Sequence, residues 1–412
     1  MRTLRTLVIT ETLPYPMMGG KDIRNWQNIN ALMSIGEVGV FGLMPNDLGQ
    51  YESPLPGLAI WKSSDFRQVK EDLAARAWLL EPTGHPSDMY YSEVISAELE
   101  RLVADFKPHV AVLERLSLHR YIGVLRRYNC RIILDCHNVE ATVVREIANS
   151  ALSDDLPSRL IRNTLPERTR LVEQKTVDSV DQVWVCSSND AILIKEMYGS
   201  STPIYVIPNA VEVDYYEGVR SGKHSPHEGR APKKRTVIFP ASFRWAPNVN
   251  AAVFLIEEVF PHLVKIYPDC LLLLVGSNPT RKMIEAAKKD SRITVTGQIP
   301  DVRPYLSAAT VMVVPLFQGG GTRLKILEAF ASNIPVISTA KGAEGLDVKD
   351  GIHLLIAENT EEFVNAVRRL WTDEQLVKQL KVNGWSLVKQ YYSWEAVKHQ
   401  IANAACELVS DG

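Results

Sequence analysis

At 412 residues the chain is too long for one ordinary hydrophobic core, so two domains of roughly 200 residues each are expected. A composition 46% hydrophobic and 23% charged, with a formal charge of −2, describes a soluble globular protein and offers no basis for general nucleic-acid binding. Five cysteines (Cys130, Cys136, Cys186, Cys270, Cys406), odd in number and without a C-x-x-C pair, fit reduced cytosolic thiols better than disulfides or zinc.

The chain opens MRTLRTLVITETLPYP, whose apolar run LVI is too short for a signal-peptide core. CLLLLV and VMVV fall far short of the ~20 residues needed to span a bilayer. The expected place is the cytoplasm, at most peripheral at the inner face of the membrane.

Strands are predicted at RTLVIT, EVGVFGL, HVAVLE, RIILDC and QVWVCS, with helices at IRNWQNINALMS, DMYYSEVISAELERLVADF and RLIRNTLPERTRLVEQKTVDSV, the last broken at Pro166. Gly19-Gly20 follows the first strand and precedes a helix that Asp22 is placed to cap, with Arg24 one turn in, facing an anion or water. His137, in LDCHNVE, lies just past a buried strand end, where such sheets present functional groups; Asn138 is nearby and Glu140 reads as structural. Arg159, Arg162, Arg168 and Arg170 on one helical segment read as a solvated face, or as a dock for a membrane surface. TPIYVIPNAVEVDYY is a last strand and connector, and polar, basic residues 218–235 read as an exposed loop.

A second alternating series follows: RTVIFPA, NAAVFLIEEVFPHLVKIY, CLLLLVG, PTRKMIEAAKKD, RITVTG, DVRPYLSA and ATVMVVPLF. Alternation throughout predicts α/β architecture, as two Rossmann-like doubly wound parallel-sheet domains facing across a cleft. Next comes LFQGGGTRLKILEAFA, a helix apolar on nearly every side that still carries Arg323, Lys325 and Glu328. A glycine loop entering a helix N-terminus suits an anion, with Arg323 and Lys325 adding charge for phosphate oxygens. Glu328 suits a pair of hydroxyls such as those of a ribose. Three helices are expected after residue 360.

VPLFQGGGTRLKILEAFASNIPVISTAKGAEGL resembles the donor-binding stretch of family 4 glycosyltransferases, retaining enzymes of the GT-B fold. The resemblance extends to VIPNAVEVDYY, SWEAV and HNVE, and so covers most of the chain. It implies an N-terminal acceptor-side domain over 1–208, with the C-terminal helix 393–412 packed back on it, and a nucleotide-sugar-binding domain over 209–392. Of the family's two glutamates, the second matches Glu328 and the first falls on Gly320. That excludes a carboxylate nucleophile there. The family's Arg and Lys for the diphosphate fall on Ser242 and Pro247; Arg244 is nearby but out of register, so Arg323 and Lys325 are the expected replacements.

The implied activity is transfer of a hexose from a UDP-sugar to a hydroxyl acceptor on a glycan or lipid carrier. UDP-glucose is the expected donor, and neither cofactor nor metal is expected, because the sequence has no D-x-D or metal-spaced His/Asp cluster. Gly319, Gly320, Gly321, Thr322, Arg323 and Lys325 would surround diphosphate and sugar, Glu328 the ribose, and Gln298 and Ile299 the base. His137 and Lys325 are the expected catalytic residues, with Gly19 and Gly20 approaching the donor from the first domain. Two rivals stand beside this: a nucleotide-sugar epimerase of the same fold, and a non-catalytic nucleotide-sugar binding protein.

Overall fold

Short near-continuous apolar runs with no polar alternation suit strands covered on both faces, and among the described residues every strand ladder is parallel. The structure, a computed structural model, describes residues 4–17, 19–44, 55–64, 81, 84–150, 156–226 and 235–410. The chain divides into two compact units, Met1–Asn209 with Val397–Gly412, and Ala210–Ala396.

The first unit carries β1 (Leu4–Thr12), α1 (Gly20–Met33), β2 (Gly36–Met44), β3 (Ile60–Ser63), α2 (Glu93–Phe106), β4 (Val110–Glu114) and α3 (Ile122–Arg127). It continues through β5 (Arg131–Cys136), α4 (Glu140–Ser150), α5 (Leu156–Val177), β6 (Gln182–Val185), α6 (Ser188–Tyr198) and β7 (Ile204–Val206). The sheet order is β3-β2-β1-β4-β5-β6-β7, so the winding reverses between β1 and β4. Leu7, Ile9, Leu113, Leu134 and Val183 form the centre of its core at 0% exposure. In register, Glu114 at the end of β4 stands beside Asp135 of β5. That pairing sets two carboxylates side by side at the carboxyl edge next to the reversal.

The second unit carries α7 (Glu217–Arg220), β8 (Thr236–Pro240), α8 (Ala246–Phe254), α9 (Phe260–Ile266), β9 (Leu271–Val275), α10 (Arg281–Lys289), β10 (Ile293–Val295), α11 (Arg303–Ala308) and β11 (Val311–Val314). α12 (Leu324–Ala331), β12 (Val336–Ser338), β13 (Leu355–Ile356), α13 (Thr360–Thr372), α14 (Glu374–Tyr391) and the start of α15 (Trp394–Ser410) complete it. Its order is β10-β9-β8-β11-β12-β13, reversing between β8 and β11. Ligands of open α/β sheets sit outside the strand ends at such a reversal. The loops after β8 and β11 lie at that reversal. From Val397 onward α15 belongs to the first unit, where Gln182 Nε2 donates to Ala404 O (2.9 Å).

Three expectations are corrected. α5 runs unbroken through Pro166. Proline removes one hydrogen bond, and the packing of α5 along α4 keeps the rest of the helix in line. The helix expected over 88–106 is two pieces, a 3₁₀ turn at Pro86–Tyr90 and then α2, with Ser92 in extended backbone between them. The helix expected to end at Tyr267 contains a π turn at Leu255–Val259, ending two residues before Pro261, whose ring crowds the carbonyl four residues back. Edge strands β3 and β13, at four and two residues, are too short to carry a readable apolar pattern. Of the basic loop, residues 227–234 lie outside the described residues.

α12 buries Leu324, Ile326, Leu327, Ala329, Phe330 and Ala331 and packs against α14 at Gly384. A Cβ there would stand 2.7 Å from Phe330 Cδ1 and 3.0 Å from Cγ. Gly384→Val should therefore destabilise the second unit by about 1–3 kcal/mol, the usual cost of overpacking, seen as a melting point lower by roughly 2–10 °C. Unchanged melting of the variant would mean that the Phe330 ring yields freely.

Candidate functional site

In the first unit, the carboxyl edge at the strand reversal is filled by a buried polar network. Arg24, from α1, is 1% exposed. Its Nε donates to Asp135 Oδ2 (2.8 Å) and its Nη2 to Oδ1, while Nη1 donates to Ile207 O (2.8 Å) and Asn209 Oδ1 (3.0 Å). Arg24 thus faces neither a ligand anion nor water, contrary to expectation; the anion it meets is the Asp135 carboxylate. Its reach is used inside the fold, where a buried charge demands a partner. Asn28 Nδ2 donates to Asp135 Oδ2 (2.8 Å) and Glu114 Oε1 (3.2 Å). With its amide nitrogen turned inward, Asn25 donates to Glu114 Oε2 and Lys21 O, both at 2.9 Å.

His137 sits at the mouth of this network, its Nε2 3.3 Å from Glu114 Oε2 and 3.6 Å from Asp135 Oδ2. Burial works against its cation, yet the bonds to Asp135 and Glu114 prevail and raise its pKa. Burial, then repulsion from Asp135, pushes Glu114 up to about 7. Burial also acts against the Asp135 carboxylate, but the Arg24 guanidinium outweighs it and holds the group well below the usual range. Glu114, Asp135 and His137 each bring a ligand atom within 4.8 Å of the others. Both Asp135 oxygens are taken by Arg24, and a fixed cation beside them opposes a divalent ion. No local pattern marks this group, because its members come from two neighbouring strands and the loop after the second.

Beside it, Arg115 adopts φ 112° and ψ 157°, a region that L-residues rarely occupy. Its guanidinium lies between Glu11 (3.3 Å) and Glu140 (3.2 Å), and Ser117 Oγ donates to Glu11 (2.6 Å). The α4 N-terminus is met by Glu173, which accepts from Glu140 N (2.8 Å) and Ala141 N (3.0 Å). Gly19, in extended backbone, is the residue before the first turn of α1, and Gly20 begins the helix; Asp22 lies inside that turn rather than capping it. Among the described residues nothing stands within 4 Å of where a Gly19 Cβ would be.

In the second unit, the loop after β11 is shaped from within. Gly319 has φ 98°, and a Cβ there would meet the Trp245 ring at 2.3 Å. Arg323 caps α12 in extended backbone, 7% exposed, and turns its guanidinium back on the loop. Nη2 donates to Gly319 O (2.6 Å) and Nη1 to Gly320 O. Gly321 also takes a positive φ, and Thr322 is buried. Lys325 Nζ donates to Asn248 Oδ1 (3.3 Å) and lies 4.2 Å above the Phe239 ring. Among the described residues no carboxylate lies within ion-pair distance of it. Burial, then the nearby Arg323, pushes its pKa down to about 7.

Glu328 Oε1 accepts from Tyr216 Oη (2.8 Å), a partner to which the sequence reading assigned no role. Burial raises the Glu328 pKa, and Tyr216 and Lys325 offset only part of that. Tyr215 packs edge-on against Tyr216 and carries Arg303 on its face at 3.9 Å. Arg244 is exposed beyond β8, Ser242 Oγ meets Ser277 Oγ (3.3 Å), and Pro247 is buried in the first turn of α8. Gln298 is exposed and Ile299 half-buried just after β10.

A lysine whose pKa falls to about 7 in the fold, against about 10.4 in the unfolded chain, leaves the unfolded state with more bound protons between those values. Stability is then lowest below about pH 7 and recovers as pH rises through that window. Lys325→Met should raise the melting point at pH 6 and do so less at pH 9. An equal gain at both would show that the ammonium carries no burial penalty.

The family described as Glycosyl transferases group 1 matches residues 234–373. An Escherichia coli UDP-Gal:alpha-D-GlcNAc-diphosphoundecaprenol alpha-1,3-galactosyltransferase is 25% identical over 224 residues, 50% of this chain and 57% of the relative. An uncharacterized 44.6 kDa protein in the cps region of Klebsiella pneumoniae is 23% identical over 169 residues, 39% of this chain and 43% of the relative. The match thus spans about half the length of these curated relatives. Sucrose-phosphate synthase from Thermosynechococcus elongatus superposes with a TM-score of 0.75 at 19% identity, covering 99% of this chain and 100% of the other. HepE from Anabaena, in complex with UDP-glucose, gives 0.68 at 11% identity, covering 98% and 99%. Residues 234–373 match the glycosyl transferases group 1 family, and the two Rossmann-like sheets of the chain have GT-B glycosyltransferases as structural neighbours.

Proposed function

We propose that the chain is a retaining, metal-independent glycosyltransferase moving a hexose from a UDP-sugar to a hydroxyl acceptor, with UDP-glucose the leading donor. The observation that carries this is Lys325. An ammonium largely enclosed by protein, beside a glycine loop at a helix N-terminus, is a site that an anion completes. A diphosphate supplies that charge. Glu328, four residues into the same turn-and-helix unit, takes the ribose hydroxyls, with Tyr216 steadying the carboxylate.

In this reading Arg323 shapes the loop, so that the backbone of Gly319, Gly320, Gly321 and Thr322 meets phosphate and sugar. Gln298 and Ile299 read the base through backbone groups, and Arg244 adds a cation at the rim. The bond between the anomeric carbon and the phosphate oxygen breaks as the acceptor oxygen bonds to the same face of that carbon. The acceptor's proton passes to the departing diphosphate, whose charge Lys325 stabilises. His137 and the Gly19-Gly20 loop serve the transfer step rather than nucleotide binding. UDP as the nucleotide is supported by the donor in the E. coli relative's name and by the UDP-glucose bound to HepE. The E. coli relative's name also includes a diphosphoundecaprenol-linked acceptor, the basis for proposing a lipid-linked glycan here, reached from the membrane surface. Among the described residues no helix is long and apolar enough to cross a membrane.

Calorimetry with UDP and uridine tests the site. Lys325→Ala should weaken UDP far more than uridine, because only UDP carries the diphosphate charge. Glu328→Gln should weaken both by roughly ten- to a hundredfold. Equal losses for both ligands in the lysine variant would assign it a structural role, and full UDP affinity in the glutamine variant would remove the ribose contact.

Release of UDP from UDP-glucose or UDP-galactose in the presence of a lipid-linked glycan should survive EDTA. An enzyme silenced by chelation and restored by Mg²⁺ or Mn²⁺ would overturn metal independence.

A further inference from the structure

The network below His137 has more charge than its fold requires. Arg24 and Asp135 cancel each other through two hydrogen bonds. That leaves Glu114, whose side chain is 0% exposed, and His137, at 10%. Other groups facing them do not alter the count. Asn25 and Asn28 from α1 are neutral, and the Cys186 thiol beyond β6, pushed up to about 12 chiefly by burial, remains protonated. Glu11 of β1 is answered by Arg115 (3.3 Å) and Lys21 (3.7 Å). Removing the last proton from the pair would strand a carboxylate away from water, and adding a second would strand a cation.

We propose that Glu114 is a positioning residue for His137: the two hold one proton between them, which keeps a hydrogen on Nδ1 and presents it as a donor to a ligand oxygen. Nδ1 keeps its hydrogen wherever the shared proton rests. On Nε2 it makes an imidazolium, with hydrogens on both nitrogens. On Glu114 the carboxyl donates to Nε2, and the neutral ring's one hydrogen must then be on Nδ1. Among the described residues the ring's polar contacts all run through Nε2, which leaves Nδ1 for the ligand. The pKa directions agree, with Glu114 at about 7 and His137 raised. Only when the last proton leaves does Nδ1 become an acceptor. That the oxygen belongs to the transferred hexose rests on the function proposed above; the protonation does not.

Ring-nitrogen NMR of the full chain labelled with ¹⁵N-histidine, with His137 assigned through His137→Gln, tests this without any turnover. In the wild type, Nδ1 of His137 should carry hydrogen from pH 6 to pH 8. In Glu114→Gln the cation loses its partner, so the ring should titrate about one pH unit or more lower. Nδ1 should then be bare at pH 8, the hydrogen having moved to Nε2 toward Asp135. A bare Nδ1 in the wild type at pH 7 overturns the proposal, and that spectrum suffices should the variant fail to fold. A variant titrating like the wild type overturns the role of Glu114. Correct spectra from a chain that turns over no UDP-sugar would overturn the proposed function alone.

Discussion

Arg24 and Asp135 are at most 1% exposed, and together they fix the carboxyl edge of the first sheet. A guanidinium or carboxylate taken out of water is penalised by several kcal/mol unless its bonds are replaced. Here they are replaced by Asp135, Ile207 O and Asn209. The requirement ties α1, β5 and the end of the β7 segment to one point. It also leaves Asp135 permanently charged beside Glu114, and so decides what Glu114 and His137 can do. The polar edge is therefore a single electrostatic unit, and none of its members has an independent charge state.

The second unit meets the same physics with the opposite solution. Its loop carbonyls are gathered by Arg323, while Lys325 is left with one neutral oxygen and an aromatic face. An interior cation held that way lowers stability and raises affinity for whatever anion completes it. The Tyr216 hydroxyl performs a related service for Glu328, holding a half-buried carboxylate in one orientation. The first unit thus resolves its charges internally, whereas the second leaves one cation with no carboxylate in ion-pair distance among the described residues.

What could be read from the residues tracks how local the determining physics is. β4, β8 and α12 were legible because four buried apolar residues in a row, or an apolar helix, have few ways to avoid water. His137 was legible as the residue just beyond a buried strand. Arg24 was misread, since one turn into a helix says nothing about which strand the side chain will meet. Asp22 likewise resembles a cap in sequence, yet the first turn begins at Gly20. Glu114 and Tyr216 carried no signal of their own. Their meaning comes from partners 21 and 112 positions away, Asp135 across a ladder and Glu328 across a loop.

By itself, then, the sequence determined the alternation of strands and helices, the division into two α/β units, and the glycine loop leading into α12. These follow from hydrophobic period, turn chemistry and backbone freedom, which act over a few residues. Only the tertiary structure decided which charges neutralise one another. Electrostatic pairing depends on distance in space and on exclusion from water, and strand order sets both. Arg323 and Lys325, two residues apart and alike in charge, show the difference: one is spent on the carbonyls of its own loop and the other rests on a neutral amide oxygen and an aromatic face.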